Sequence, residues 1–183
     1  MLETITLVNP ETKEEKEVKV NVNLNAWTLF TLEKEGIISK SFLGTLLVTG
    51  GRAQNLDLLD AFRVVYASYR QANQNDFLNF ESFMKQYEIN MSEAFEIFGA
   101  VLGKEQNKNK MAQSFQNKAK KGLKLPEFEI ECVVDLYSLY VFIFEISEKT
   151  FWHLPLRDVQ RIAENKSAYE GWKAYLQEKE GEK

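Results

Sequence analysis

A lysine-rich stretch from Gly103 to Leu125 limits how this chain of 183 residues can fold. It reads GKEQNKNKMAQSFQNKAKKGLKL and holds seven lysines against the single acid Glu105, a net charge of +6. Its few large apolar residues do not recur on one helical face. Such a segment cannot bury enough apolar surface to offset the entropy cost of ordering it. We therefore predict a flexible or partly helical linker between two folded modules.

The charge of the two flanks differs from that of the linker. Residues 1–102 carry 9 basic and 14 acidic side chains, and residues 126–183 carry 7 and 12. We predict an N-terminal module over 1–103, a basic linker over 104–125 and a helical C-terminal extension over 126–183. A nucleic-acid-binding domain usually presents a basic folded face, and two acidic modules argue against one.

Three features of the sequence favour a cytoplasmic location. Cys132 is the only cysteine, which excludes a disulfide framework and fits a reducing environment. The N-terminus lacks the long apolar core of a secretory signal. The most apolar run, Cys132 to Ile146, is short and contains Asp135 and Glu145, which makes it a poor membrane span. We expect a soluble cytoplasmic protein without membrane contact.

Alternating residues predict a β-hairpin at the N-terminus. The two strands are Thr4–Val8 and Glu17–Val22, joined by the turn residues Asn9-Pro10-Glu11-Thr12. A short amphipathic helix with Trp27, Phe30 and Leu32 then runs from Asn25 to Glu35 and ends at Gly36. A two-stranded hairpin is marginal alone, so it must lie on an apolar partner.

A helical core follows the hairpin. The clearest helix runs from about Asn55 to Asn73, with one apolar face formed by Leu58, Phe62, Val65, Tyr69 and Ala72. Asn79 caps a short helix, and Asn90 with Glu93 predicts the start of another that ends near Leu102. The sequence therefore predicts an α+β fold that is mainly α.

The C-terminal extension contains more apolar helix than it can cover. A helix from Pro126 to about Ser147 is apolar on two stripes, and helices over Leu156–Asn165 and Ser167–Gln177 follow. Only 58 residues follow Leu125, fewer than a self-sufficient core usually needs. We expect this module to complete its core on the first module, on another copy or on a partner. The candidate partner-binding residues are Leu136, Tyr137, Leu139, Tyr140, Ile143, Phe144, Trp152 and Trp172.

Catalytic and metal-binding patterns are weak throughout. His153 is the only histidine, and Cys132 lies on an apolar helix face, where an inert thiol is the favoured reading. No residues have the spacing of zinc or calcium ligands. The stretch Thr49-Gly50-Gly51-Arg52 lacks the spacing and lysine of a phosphate-binding loop. We predict no catalytic residue, no cofactor and no metal site, and hence a protein that is not an enzyme.

The linker leaves one alternative function open. Lys118, Lys120 and Lys121 could bind nucleic acid electrostatically, with Phe115 stacking on a base. Because only one aromatic residue is interleaved, a solvated linker is favoured. A nucleic-acid-binding regulatory protein remains the alternative.

One part of the sequence resembles a known family. The segment LLDAFRVVYASYRQAN over residues 58–73, followed by LNFESFM over residues 78–84, resembles the tail assembly chaperones of long-tailed bacteriophages and prophages of Gram-positive bacteria. Those proteins open with a small strand pair, then present a helix ending in a Tyr-x-x-x-Arg-x-Ala-Asn-like segment and a Phe-Glu-x-Phe-like helix. The match covers roughly residues 1–102.

This resemblance implies a binding function in virion assembly. The family coats the tape-measure protein, a long apolar helical rod, keeps it soluble in the host cytoplasm and helps to recruit tail-tube subunits. Its members are not expected in the mature virion. Many of these phages also make a longer product by ribosomal frameshifting, and the Lys/Asn-rich junction at Asn117–Lys121 is where slippery codons would lie. Self-association also remains open.

Overall fold

A computed structural model describes residues 3–38, 58–101, 109–116 and 130–181. These residues form an antiparallel hairpin and eight α-helices, so the predicted α+β, mainly α class is confirmed. The elements are β1 (Thr4–Val8), β2 (Glu15–Lys19), α1 (Ala26–Lys34), α2 (Leu58–Ala72), α3 (Phe80–Gln86), α4 (Met91–Val101), α5 (Lys110–Gln116), α6 (Val133–Tyr137), α7 (Glu148–His153) and α8 (Leu156–Gly181). A π-helical turn, Ser138–Ile143, continues α6 directly.

The hairpin has a different second strand from the predicted one. β2 pairs with β1 over Glu15–Lys19, whereas the prediction was Glu17–Val22. The turn sets this register, because the Asn9 side chain accepts backbone N–H groups from Glu11 and Thr12, at 2.9 and 3.2 Å. The chain beyond β2 is buried at alternate residues: the Val20 N–H still bonds to the Glu3 carbonyl just before β1, and the Asn21 N–H bonds to the Ser68 carbonyl of α2, both at 2.9 Å.

Three of the predicted helix starts in the N-terminal half are confirmed. Each is capped by an asparagine whose side chain accepts a backbone N–H three residues on, as N-cap chemistry requires. The pairs are Asn25 with Thr28 at 2.9 Å, Asn79 with Ser82 at 2.8 Å and Asn90 with Glu93 at 3.2 Å. The predicted start of α2 near Asn55 lies outside the described residues.

The apolar face assigned to α1 was partly wrong. Ala26, Leu29 and Leu32 are fully buried, whereas Trp27 is 54 % exposed. A helical step of three separates each of the buried residues, so Trp27 and Phe30 fall on an adjoining face. Only Leu32 of the predicted set belongs to the buried face of α1.

The predicted helix from Pro126 to Ser147 is shorter in the structure. Residues 126–129 lie outside the described residues, and α6 begins only at Val133. The Asp135 carboxylate accepts the backbone N–H groups of Glu131 and Cys132, at 2.9 and 3.1 Å, which caps the helix at that point. The π-helical turn then ends at Ile143, and Glu145 has a φ of +50° that no helix can continue.

The two predicted C-terminal helices form one helix. α8 passes without a break through Asn165, Lys166 and Ser167, where no proline or capping bond interrupts it. The Lys166 ammonium donates to the Phe144 carbonyl at 2.8 Å and to the Glu145 carboxylate at 2.6 Å. The short helix α7 was not predicted; Ser147 caps it by accepting the Thr150 N–H at 3.2 Å.

Both halves of the chain contribute to one hydrophobic core. α1 packs against α2 on one side and against α6 and α7 on the other. Fully buried side chains come from every part of this core, among them Leu29, Leu32, Tyr66, Phe83, Val133, Leu136, Phe151 and Val159. The Leu156 N–H donates to the Leu24 carbonyl at 2.9 Å, and the Val133 N–H to Glu33 at 3.2 Å.

The C-terminal extension therefore completes its core on the N-terminal part of the same chain. Both predicted linker boundaries, at residues 103–104 and 125–126, lie outside the described residues, so the three-part division stays a prediction. Within the predicted linker, α5 is helical and packs along α8.

Replacing Phe151 with alanine is expected to lower the free energy of unfolding by about 3–5 kcal/mol, because a fully buried aromatic ring leaves a cavity. Phe142→Ala is the matched control: that ring is 70 % exposed, and its loss should change stability by less than about 0.5 kcal/mol. Urea unfolding followed by circular dichroism and tryptophan fluorescence measures both. Because the core is shared, the two signals should change together; separate transitions would contradict a shared core.

Candidate functional site

Side chains of the segment that carries the family resemblance form hydrogen bonds within the chain. The Tyr66 hydroxyl donates to the Leu78 carbonyl, and the Leu78 N–H donates to the Tyr69 hydroxyl, both at 3.0 Å. Tyr66 is fully buried, and burial raises its pKa above the ordinary value. These bonds fix the loop between α2 and α3 onto α2.

The end of α2 holds the N-terminal strand segment in the same way. Asn73 donates from its side-chain amide to the Lys19 carbonyl at 2.9 Å. The Asn25 N–H donates to the Gln71 side chain at 2.9 Å. Arg70 forms a two-bond ion pair with Glu35 at the end of α1. Tyr66, Tyr69, Arg70, Gln71 and Asn73 of this segment therefore brace the fold.

A continuous group of aromatic rings lies instead where α1 meets the C-terminal half. We call it the aromatic ridge; it consists of Trp27, Phe30, Tyr137, Phe142 and Trp152. Ring centroids are 6.1 Å apart for Trp27 and Trp152, and 5.6 Å apart for Phe30 and Trp152. The Tyr137 ring follows at 5.6 Å from Trp152 and at 5.6 Å from Phe142. The ridge thus joins rings from four elements into one surface.

The ridge is exposed at both ends. Trp27 is 54 % and Phe142 is 70 % exposed, and the three rings between them are partly buried. Ile143, next to Phe142, is 65 % exposed and extends the apolar area. Contiguous bulky apolar surface on a folded chain marks an interaction site more often than isolated exposed residues do.

Helix geometry explains why these rings point outward. The buried face of α1 leaves Trp27 and Phe30 on an outer face, three residues apart. In the π-helical turn the Phe144 N–H donates to the Leu139 carbonyl, five residues back, at 2.9 Å. This wider turn buries Leu139 and Tyr140 while it exposes the two residues that follow Val141. Because α1 and α7 belong to different halves, the ridge exists only when the halves are packed together.

Charged groups border the ridge. The Tyr137 hydroxyl donates to the Glu148 carboxylate, and this hydrogen bond raises the pKa of Tyr137. The Lys34 ammonium lies 5.2 Å from the centre of the Phe30 ring, a cation–π distance. Glu145, after the π-helical turn, accepts from Lys166, which lowers its pKa below the ordinary value.

The predicted partner-binding residues fall into three groups. Leu136, Leu139 and Tyr140 are 0, 8 and 7 % exposed, so they belong to the core of the chain rather than to its surface. Tyr137 and Trp152 belong to the ridge, Ile143 lies beside it, and Phe144 is partly buried against the core. Trp172 is separate and contacts Phe115 and Tyr169 between α5 and α8, at 5.7 and 5.9 Å.

Three ridge residues were not predicted as partner-binding. Trp27 and Phe30 were assigned to the buried side of α1. One feature of the sequence could have indicated that Phe142 is exposed. It interrupts the polar side of the predicted helix and belongs to neither apolar stripe. Lys118, Lys120 and Lys121 lie outside the described residues, so the nucleic-acid alternative stays a prediction.

The described residues hold no cluster of three or more histidine, cysteine, aspartate or glutamate side chains that could bind a metal ion. His153 is exposed at the end of α7, and Cys132 is half-buried at the start of α6. Over the same residues, no helix has the length and apolar content needed to cross a membrane. No protein-family model matches the chain, and neither a curated protein nor a solved structure shows significant similarity to it.

Alkaline pH is expected to destabilise the fold through Tyr140. Burial, with a smaller contribution from Glu164, raises the pKa of its hydroxyl to about 12, from 10.0. The folded state thus favours the protonated form, and its contribution is complete below about pH 10 and lost as the pH rises towards 12. The loss amounts to roughly 2–3 kcal/mol.

Tyr140→Phe should reduce this dependence by roughly 2–3 kcal/mol, and Tyr169→Phe, whose ring is 43 % exposed, should leave it unchanged. The dependence that remains comes from the other tyrosines whose pKa the fold raises, Tyr66, Tyr87 and Tyr137. The measurement is the free energy of unfolding between pH 8 and 12. If the free energy of unfolding falls equally steeply with pH in both variants, the assignment to Tyr140 is contradicted.

Proposed function

We propose that this protein is a non-enzymatic tail assembly chaperone of a long-tailed phage or prophage. In this proposal it binds apolar helical segments of the tape-measure protein and keeps them soluble while tail-tube subunits are recruited. It acts in the host-cell cytoplasm and does not remain in the mature virion. The aromatic ridge is the observation that carries the proposal, because it offers a bulky apolar surface on an otherwise closed core.

The dimensions of the ridge suit a helical partner. From Trp27 through Trp152 and Tyr137 to Phe142, successive ring centres lie 6.1, 5.6 and 5.6 Å apart. Each step is close to the helical pitch of about 5.4 Å, so the path matches up to about three turns. A helix with apolar residues at i, i+3 or i+4, and i+7 would place one side chain against each part of it.

The far end of α8 provides a second surface for the tail-tube contact in this proposal. The last buried residue of α8 is Ala168, whereas Tyr169 and Leu176 are 43 and 37 % exposed. Phe115 of α5 packs against Tyr169 at 5.6 Å, which makes a small aromatic group outside the main core. Two separate contacts on one chain would raise the local concentration of the second partner once the first is bound.

The test is the solubility of a tape-measure fragment co-expressed with this protein. The fragment comes from the very long helical protein that the proposal expects to be encoded downstream. The wild type should keep the fragment soluble, and a Trp27→Ser, Phe142→Ser double variant should bind it at least about tenfold more weakly, because aromatic anchors dominate such interfaces.

Ile89→Ser is the matched control, since Ile89 is 59 % exposed but lies outside the ridge. This variant should solubilise the fragment as the wild type does. A fragment that is equally insoluble with and without the wild-type protein would refute the proposed function.

A further inference from the structure

Phe142 and Ile143 are the most exposed large apolar side chains in the described part of the chain, at 70 and 65 %. They lie in sequence between Tyr140, which is 7 % exposed, and Ile146, which is 6 % exposed. Two bulky side chains are thus held in water between two residues of the core. The backbone around them shows how this is done.

The local backbone is irregular and firmly anchored. The π-helical turn is a rare geometry that is frequent at functional sites. Glu145 adopts a left-handed φ of +50°, which is unfavourable for a residue with a side chain. Lys166 of α8 bonds to both the Phe144 carbonyl and the Glu145 carboxylate, at 2.8 and 2.6 Å. Strain and polar anchors together keep Phe142 and Ile143 on the surface.

The surroundings of this apolar area are acidic. Residues 130–153, which supply most of it, contain the acids Glu131, Asp135, Glu145 and Glu148 and the base Lys149. With Lys166 of α8, which pairs with Glu145, the net charge around the apolar area is −2. Glu148 reaches the ridge directly through its bond from Tyr137. α1, with Glu33 and Lys34, adds no net positive charge.

We infer that the aromatic ridge and Ile143 bind an amphipathic helix whose apolar stripe is flanked by lysine or arginine. The apolar stripe covers the rings and Ile143, and the basic flanks lie against the acidic border. Complementary rim charges speed association and exclude wrong partners, so a helix with acidic flanks is rejected. This inference names the chemistry of the partner for the surface used in the proposed function.

Two synthetic helical peptides test it against the full-length protein. Both carry the same leucine and phenylalanine stripe; one has lysine flanks and the other has glutamate flanks. Isothermal titration calorimetry should show the lysine peptide binding about tenfold tighter or more at low salt. The ratio should shrink at 1 M salt, where the screening length falls to about 3 Å. Equal affinities at low salt, or tighter binding of the glutamate peptide, would overturn the inference.

Variants locate the effect. A Phe142→Ser, Ile143→Ser double variant should bind the lysine peptide at least about tenfold more weakly, while Ile89→Ser binds it as the wild type does. Both should unfold in urea as the wild type does. If the double variant binds normally, the ridge is not the site.

Charge variants separate the local border from the net charge of the protein. Glu148→Lys should bring the affinities of the two peptides closer together, because Glu148 is bonded to Tyr137 of the ridge. Glu178→Lys changes the net charge equally at the exposed end of α8 and should leave the preference for the lysine peptide intact. The same loss of preference in both variants would show non-specific attraction and overturn the inference.

The two proposals can fail separately. Preference for the lysine peptide without any effect on a tape-measure fragment refutes the proposed function and leaves the inference standing. A solubilised fragment without charge preference refutes the inference alone.

Discussion

The packing of α1 against α6 and α7 is the contact on which the rest of the structure depends. Val133, Leu136 and Phe151 are completely buried there, and the Leu156 N–H bonds to the Leu24 carbonyl at its edge. Burying one such side chain contributes about 1.5–3 kcal/mol, and a whole domain is stable by only about 5–15 kcal/mol. The contact is therefore an essential part of the core. The same contact brings Trp27 beside Trp152 and so forms the ridge.

Local chemistry made much of the N-terminal half predictable. A side chain three residues before its N–H partner is enough to set a helix start, and Asn25, Asn79 and Asn90 each act in this way. The strand register was less predictable, because shifting β2 by two residues along β1 keeps the same side chains on the same face of the hairpin. The turn bonds of Asn9 decide the register, and they depend on geometry that the pattern does not contain.

The C-terminal half was harder to predict because its elements are defined by long-range contacts. An apolar helix such as the one through Leu136 and Tyr140 can be covered by its own chain, by a second copy or by a partner, and periodicity does not distinguish these. Here α1 covers it. Lys166, more than twenty residues along the chain, bonds to the Phe144 carbonyl directly after the π-helical turn. The local pattern could mark Phe142 as irregular, but it could not show the contacts that leave the ring exposed. The ridge combines rings from both halves, and the sequence indicated only Tyr137 and Trp152 of it as partner-binding residues.

The family-like segment of α2 and the ridge carry different kinds of information. Tyr66, Arg70 and Asn73 hold a loop, the end of α1 and the end of β2, so their spacing reflects how the fold is braced. A similar pattern in another protein would therefore indicate a similar brace before it indicated a shared binding surface.

The acidic border also bears on self-association through the ridge. Two copies that met ridge to ridge would bring Glu148 and its acidic neighbours of one chain towards those of the other. Like charges facing each other across an interface disfavour it, whereas the apolar rings alone would favour it. In the inferred arrangement the border would weaken pairing between copies and leave the rings available to a helix of opposite charge. An exposed aromatic surface alone does not select a partner, and the charge around it would supply that selection.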